Sequence, residues 1–209
     1  MTKSARTSFF GTIAADFASF AELRGKKLRS PLAVLDVFFF PGVLAVLLFR
    51  LAGAFHRARL RPISRLLYIL DLVLFGVDLA PSAEVGPGLA LPHPNGVAIA
   101  PATRIGRKVR LFQQVSVGGV SFEDPTRDGF PTVGDECWIF AGAKVLGPIH
   151  IGDRAMVASN ALVIRSVPAG AVVVGNPARV VRYREGAPTA PRTEAEAKVA
   201  IGEIAPSDA

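Results

Sequence analysis

Every sixth residue from Leu79 carries an aliphatic side chain: Leu79, Val85, Leu91, Val97, Val109 and Val115, then Val133, Ile139, Val145, Ile151, Val157 and Val163, with Thr103 the lone exception. An amphipathic helix cannot keep one face at that spacing, because six residues rotate it by about 600°, far from a whole number of turns. The period belongs to a coil of three short flat strands, each about six residues long with its corner, stacked in turns of about 18 residues. Val115 and Val133 stand three sixes apart, so a single frame is expected to run through both halves. Small residues two places earlier (Ala83, Cys137, Ala143, Ala155, Ala161) suit a narrow interior. Gly86, Gly106, Gly134 and Gly152 stand at strand ends, where a positive φ or a close backbone approach is expected. The fold class is therefore mainly β, a parallel β-helix.

The period stops short of the first third of the chain, and the composition changes there too. Residues 1–76 hold 11 Lys/Arg against 4 Asp/Glu and ten of the 14 Phe, whereas the remainder is balanced at 13 against 13 and holds 15 of the 20 Gly. We divide the chain into a basic, apolar helical domain (1–76), a β-helix domain (77–182) whose repeat is broken by a loop at 118–132, and a C-terminal tail (183–209). The tail is rich in Ala, Pro and Glu, with one short helix expected over 193–204. With half its residues hydrophobic, the chain buries a core, and wholesale disorder is excluded. The single cysteine, Cys137, excludes a disulfide framework and fits a reducing compartment. The N-terminus lacks the continuous apolar region of a cleaved signal peptide, so a cytoplasmic address is expected, at the inner face of the membrane if the helices touch lipid.

Residues 9–28 and 43–75 read as helical, punctuated by Pro31, Pro41-Gly42 and Pro62. The longest uncharged run, Val37 to Phe49, would cover about 20 Å as a helix, against a hydrocarbon core of about 30 Å. Extending it requires burying Arg50 at a cost of about 2.5–3.5 kcal/mol. Two readings of these helices stay open. They bury their faces against one another or a sister subunit, or residues 31–75 lie on a bilayer surface, drawn by Arg50, Arg57, Arg59, Arg61 and Arg65 at about 1 kcal/mol per charge. No nucleic-acid motif accompanies the charge, so no nucleic-acid partner is expected.

Several segments together resemble the hexapeptide-repeat acyltransferases, in the serine acetyltransferase branch that includes polysaccharide O-acetyltransferases. They are GVDLAPSAEVGPGLALPHPNGVAIA (76–100), VSVGGV (115–120), AGAKVLGPIHIGD (141–153) and VPAGAVVVGNPARVV (167–181). The helical stretch FFFPGVLAVLLFRLAGAFH is similar to the segment that precedes that family's β-helix. The resemblance covers about residues 35–182. It implies a left-handed coil, an exception to the usual crossover hand, acetyl-CoA as acyl donor, direct transfer in a ternary complex, and a homotrimer or dimer of trimers with the active groove between subunits.

Acyl transfer to a hydroxyl needs a base for the alcohol proton and donors for the oxyanion. Of the three histidines, His56 lies in the basic helical stretch and His150 at a coil corner near Asp153. His93 stands in Leu91-Pro92-His93-Pro94-Asn95-Gly96, where proline and glycine break the strand pattern and push the imidazole out of the core. By resemblance His93 is the general base and Asp78, 15 residues earlier, orients it. Resemblance also implies that Gly118 and Gly119 present a backbone N–H to the thioester. It sets the pantetheine arm along Ala141 and Ser159, with Lys144 and Arg179 near the phosphates. Cys137 is an interior residue in this register, so no acyl-cysteine is expected. No metal is expected either, since only His93 and His150 lie in the repeat and three histidines would be needed.

The acceptor is where this chain departs from its resemblance. Serine acetyltransferases place an acidic residue before the base histidine and an Arg-His pair in the long loop to hold the amino acid carboxylate. Here Pro92 takes the first place, and Asp128-Gly129-Phe130-Pro131 puts glycine and phenylalanine where the pair would stand. Losing such a clamp costs about 1.5–3 kcal/mol per hydrogen bond. On this ground the expected acceptor is an uncharged hydroxyl, a sugar of a surface polysaccharide or glycan precursor, with Phe130 stacking on it and Asp128 beside it. Serine O-acetylation for cysteine biosynthesis is the alternative, and a noncatalytic trimeric scaffold the second.

Overall fold

A computed structural model describes residues 8–26, 30–119 and 129–186. Four helices come first: α1 (Phe9–Leu23), α2 (Pro31–Phe38), α3 (Pro41–Arg57) and α4 (Arg61–Phe75). Ser8 and Ser30 cap α1 and α2 by accepting from Gly11 and Ala33 backbone N–H groups. Pro31, Pro41 and Pro62 stand in the first turns of α2, α3 and α4. They start helices where the sequence reading had them separate helices, because a first-turn residue needs no N–H partner. The reading thus missed α2 altogether and carried α1 too far: Arg24 is its cap.

Beyond α4 the chain winds into a three-sided parallel coil, the parallel β-helix expected from the hexads with the left hand that the resemblance implies. One sheet stacks β1 (Asp78–Leu79), β3 (Ala98–Ile99), β6 (Ser116–Gly118), β9 (Lys144–Leu146) and β12 (Leu162–Val163). The second stacks β2 (Glu84–Val85), β4 (Arg104–Ile105), β7 (Thr132–Val133) and β10 (His150–Ile151). The third stacks β5 (Arg110–Leu111), β8 (Trp138–Ile139), β11 (Met156–Val157) and β13 (Ala171–Gly175), closed by the antiparallel β14 (Ala178–Tyr183). Every hexad residue named above is buried except Val85, which is half-buried.

The strand register nevertheless corrects the single frame. Leu79 pairs with Ile99, not Val97, a step of 20 residues. Ile105 pairs with Val133, a step of 28. Val97, Thr103, Val109 and Val115 therefore fill the second inward place of each strand, the one held by alanine or Cys137 elsewhere. Two insertions interrupt the 18-residue turn, one of two residues between Leu91 and Ile99 and one of ten between Val117 and Val133. Together they make two sixes, which is why the frame looked unbroken on both sides. Gly86, Gly106, Gly134 and Gly152 stack at one corner with ordinary negative φ; a Cβ on Gly86 would stand 2.6 Å from the Gly106 carbonyl oxygen, so close approach alone explains them.

The helical region is fastened to the first coil by a buried ion pair. Asp16 accepts from Arg50 Nε at 2.8 Å and from Arg50 Nη2 at 3.1 Å, and also from the Gly88 and Leu89 backbone N–H groups. Arg50 donates further to the Val85 and Gly86 carbonyls, each at 2.6 Å. Arg50 is 9% exposed, so it leaves the set of arginines available to lipid. Among the described residues no single helix is long and apolar enough to cross a membrane; α2 and α3 pass that test only together and are bent by 71°.

Candidate active site

Each insertion carries chemistry that the regular hexads do not. The two-residue insertion lifts His93 out of the stack: Leu91 and Pro92 are buried and His93 is exposed. Its loop is held from both sides, Gly96 N–H donating to the Gly76 carbonyl at 2.7 Å and Gln114 N–H to the Asn95 carbonyl at 3.0 Å. Gly76 caps α4 with φ of +66°, and a Cβ there would stand 2.6 Å from Asn95 Nδ2. Glycine is therefore required twice over, for the left-handed turn and for the contact.

Asp78 lies in β1 beside Ala98, and its N–H donates to the Val97 carbonyl at 2.8 Å, four residues past His93. The structure thus brings Asp78 and the His93 loop to adjoining coils. No hydrogen bond joins the two side chains among the described residues. The Asp78 carboxylate instead accepts from the Tyr68 hydroxyl of α4 at 2.7 Å, an interaction that raises the Tyr68 pKa above its usual value. The sequence reading missed Tyr68; its place on the coil-facing side of α4, four residues past the buried Ser64 and three before the buried Asp71, was the available signal.

At the ten-residue insertion, Gly118 closes β6 opposite Leu146. Beside it the Gly119 N–H donates to no other described residue. The Phe130 ring edge lies against Gly119, where a Cβ would stand 3.3 Å from Cε1. Phe130 therefore packs on the backbone at the mouth of the loop. Asp128, with Glu123, Asp124 and Arg127, lies outside the described residues.

Ala141 and Ser159 sit at the same corner as the His93 loop. Gly142 N–H donates to the Gln113 carbonyl and Asn160 N–H to the Ala141 carbonyl, both at 2.9 Å, which continues the Asn95–Gln114 step upward. Gly96, Gln114, Gly142 and Asn160 all adopt positive φ there, so the corner is one repeated turn. The Lys144 ammonium is already used, donating to the Gln114 carbonyl at 2.7 Å. Arg179 pairs with Val174 in the last layer and is exposed. Gln113 Oε1 is buried at this corner with no hydrogen-bond partner among the described residues, a feature the sequence reading did not single out.

The remaining candidates lie elsewhere. His150 is on the second sheet, exposed, away from the corner. Cys137 is fully buried, donates to the Gly152 carbonyl at 3.1 Å, and its pKa is pushed up to about 12 by burial, so it offers no thiolate.

Comparison with known proteins points one way. Residues 130–165 match the family model of the bacterial transferase hexapeptide, six repeats. A serine acetyltransferase of Mycobacterium tuberculosis is 38% identical over 173 residues, covering 81% of this chain and 75% of that one. The structure of a Neisseria gonorrhoeae serine acetyltransferase superposes with a TM-score of 0.76 at 27% identity, covering 91% of this chain and 72% of the other. A serine acetyltransferase solved in complex with CoA superposes with a TM-score of 0.72 at 27% identity, covering 83% and 70%.

Proposed function

The chain belongs to the hexapeptide-repeat transferases, in their serine acetyltransferase branch, and from this premise we propose that it is an acetyl-CoA-dependent serine O-acetyltransferase. It is an acyltransferase enzyme, not a scaffold. The observation that carries the acceptor is the 38% identity to a serine acetyltransferase over most of both chains. That finding overturns the polysaccharide acceptor, which rested on the loss of the carboxylate clamp at Pro92, Gly129 and Phe130. Those substitutions remain, and with the acceptor now an amino acid they imply weak serine binding rather than a different substrate.

In this reading the serine hydroxyl gives its proton to the His93 imidazole as its oxygen attacks the thioester carbonyl. The negative charge that develops on the carbonyl oxygen meets the Gly119 N–H. Collapse of the tetrahedral species expels the CoA thiolate, which takes the proton back from the imidazolium. Asp78 steadies the imidazolium electrostatically while Tyr68 fixes the position of its carboxylate. The donor's pantetheine amides suit the corner at Ala141 and Ser159, where the buried Gln113 Oε1 is an acceptor lacking a donor. Arg179 remains the phosphate candidate of the original pair, since Lys144 is engaged. Three chains around a threefold axis would close the groove, and the exposed apolar side chains of α2 support such an assembly.

Steady-state kinetics test this reading. Acetylation of serine is expected with a high KM, and His93→Ala is expected to lower kcat by about 10²–10⁴-fold while the chain stays folded. Absence of serine turnover by the folded wild-type protein would overturn the acceptor, and an unaffected His93→Ala variant the mechanism.

A further inference from the structure

A second, open cleft adjoins the site described above and shares Tyr68 with it. His56 at the end of α3, Arg61, Ser64, Arg65 and Tyr68 of α4, and Pro81 in the turn after β1 line an open cleft of about 440 Å³. The side chains of Arg61, Arg65 and His56 make no ion pair or hydrogen bond with another described residue. Among the described residues no acidic side chain lines the cleft. Asp78 accepts from the Tyr68 hydroxyl, and the one carboxyl of α4, Asp71, is buried. Arg57 and Arg59 of the same basic stretch do not line it, so the convergence is confined to a chosen pair of arginines.

We infer that this cleft binds a phosphoryl group. Two guanidinium forks, an imidazole and the Ser64 hydroxyl approach one space from two helices. A tetrahedral oxyanion, with three or more oxygens, uses such a set, whereas a planar carboxylate presents only two. The two arginines supply two fixed positive charges, which match a phosphate monoester dianion. The same chemistry has two sources. One is a soluble phosphate monoester. The other is a phospholipid headgroup, whose chains would lie along the exposed Ile63, Leu66, Ile69 and Leu70 of α4. The site is independent of which hydroxyl the enzyme acetylates.

Calorimetric titration of the full-length protein with inorganic phosphate, at constant ionic strength set with chloride, tests the site. Saturable binding of one phosphate per chain is expected, weakened about tenfold by Arg61→Gln or Arg65→Gln alone and lost in the double variant, with serine acetylation retained. Saturating acetyl-CoA is expected to leave phosphate binding intact. Lack of saturable binding, its survival in the double variant, or its displacement by acetyl-CoA would each overturn the inference. Sedimentation with phosphatidylcholine vesicles, with and without phosphatidic acid, separates the sources. Binding that requires phosphatidic acid, is competed by phosphate and is lost in the double variant assigns a lipid headgroup. Phosphate binding without vesicle binding assigns a soluble ester.

Discussion

The coil and the helices solve burial in opposite ways. Among the described residues Thr103 is the one polar residue of the coil buried as a whole, and it donates to the Val117 carbonyl at 3.3 Å. The other five buried polar or charged side chains (Asp16, Ser19, Arg50, Ser64 and Asp71) belong to the helices. Exposed large apolar side chains are concentrated there too, from Phe10 through Leu74, against Ile164, Val174 and Val181 in the coil. The coil interior is thus an apolar stack that Ala45, Val46 and Phe49 of α3 extend, while the helices add directed polar bonds to this contact and keep apolar surface for contact with something else.

If that contrast is right, the greatest loss of stability should come from breaking the polar fastening. Arg50→Met leaves the Asp16 carboxylate buried without its cation, and denaturant unfolding is expected to lose about 3–5 kcal/mol. Adding Asp16→Leu should recover part of this, because the unpaired charge goes while the Gly88 and Leu89 N–H groups lose their acceptor. A double variant no more stable than the single one would mean that the fastening is not what holds α1 and α3 to the first coil.

The contrast also explains which parts of the molecule could be read in advance. A coil position depends on residues six places away, so the prism, its inward alanines and the exclusion of His93 from the core were all visible in the linear order. The frame shift at Pro92–Gly96 was not, because its two residues and the ten of the later loop cancel in a six-residue count. The helices depend on partners outside their own periodicity: Arg50 meets Asp16 34 residues away, and Tyr68 meets Asp78 of the first strand. A hydropathy pattern records that such side chains are amphipathic, not which atoms they meet. Arg50 consequently counts, in one of the two sequence readings, among the arginines drawn to lipid.

A smaller effect separates the two regions by pH. Asp71 is 2% exposed with Oδ1 unpartnered, and burial pushes its pKa up to about 8. In the unfolded chain the carboxyl ionises from about pH 4. Between about pH 4 and 8 the folded state therefore binds more protons than the unfolded one, and stability falls as pH rises. Asp71→Asn removes this cost. Its unfolding free energy is expected to match the wild type's near pH 4 and to exceed it by a margin that grows up to pH 8, at most about 1.4 kcal/mol for each pH unit between the two pKa values. A gain of equal size at every pH would show that packing, not ionisation, sets the cost.

The least sensitive change tests the coil's side of the contrast. Cys137 occupies the inward place that alanine holds in neighbouring turns, at Ala143, Ala155 and Ala161. Its Sγ–H bond to the Gly152 carbonyl is weak, and the raised pKa keeps the sulfur protonated across the physiological range. Cys137→Ala is therefore expected to cost about 1 kcal/mol or less and to leave kcat within about twofold. Iodoacetamide should label Cys137 only as fast as the chain unfolds. Rapid labelling of the folded protein, or a large loss of kcat in the alanine variant, would put a reactive thiol inside a stack that otherwise has room only for inert methyl groups.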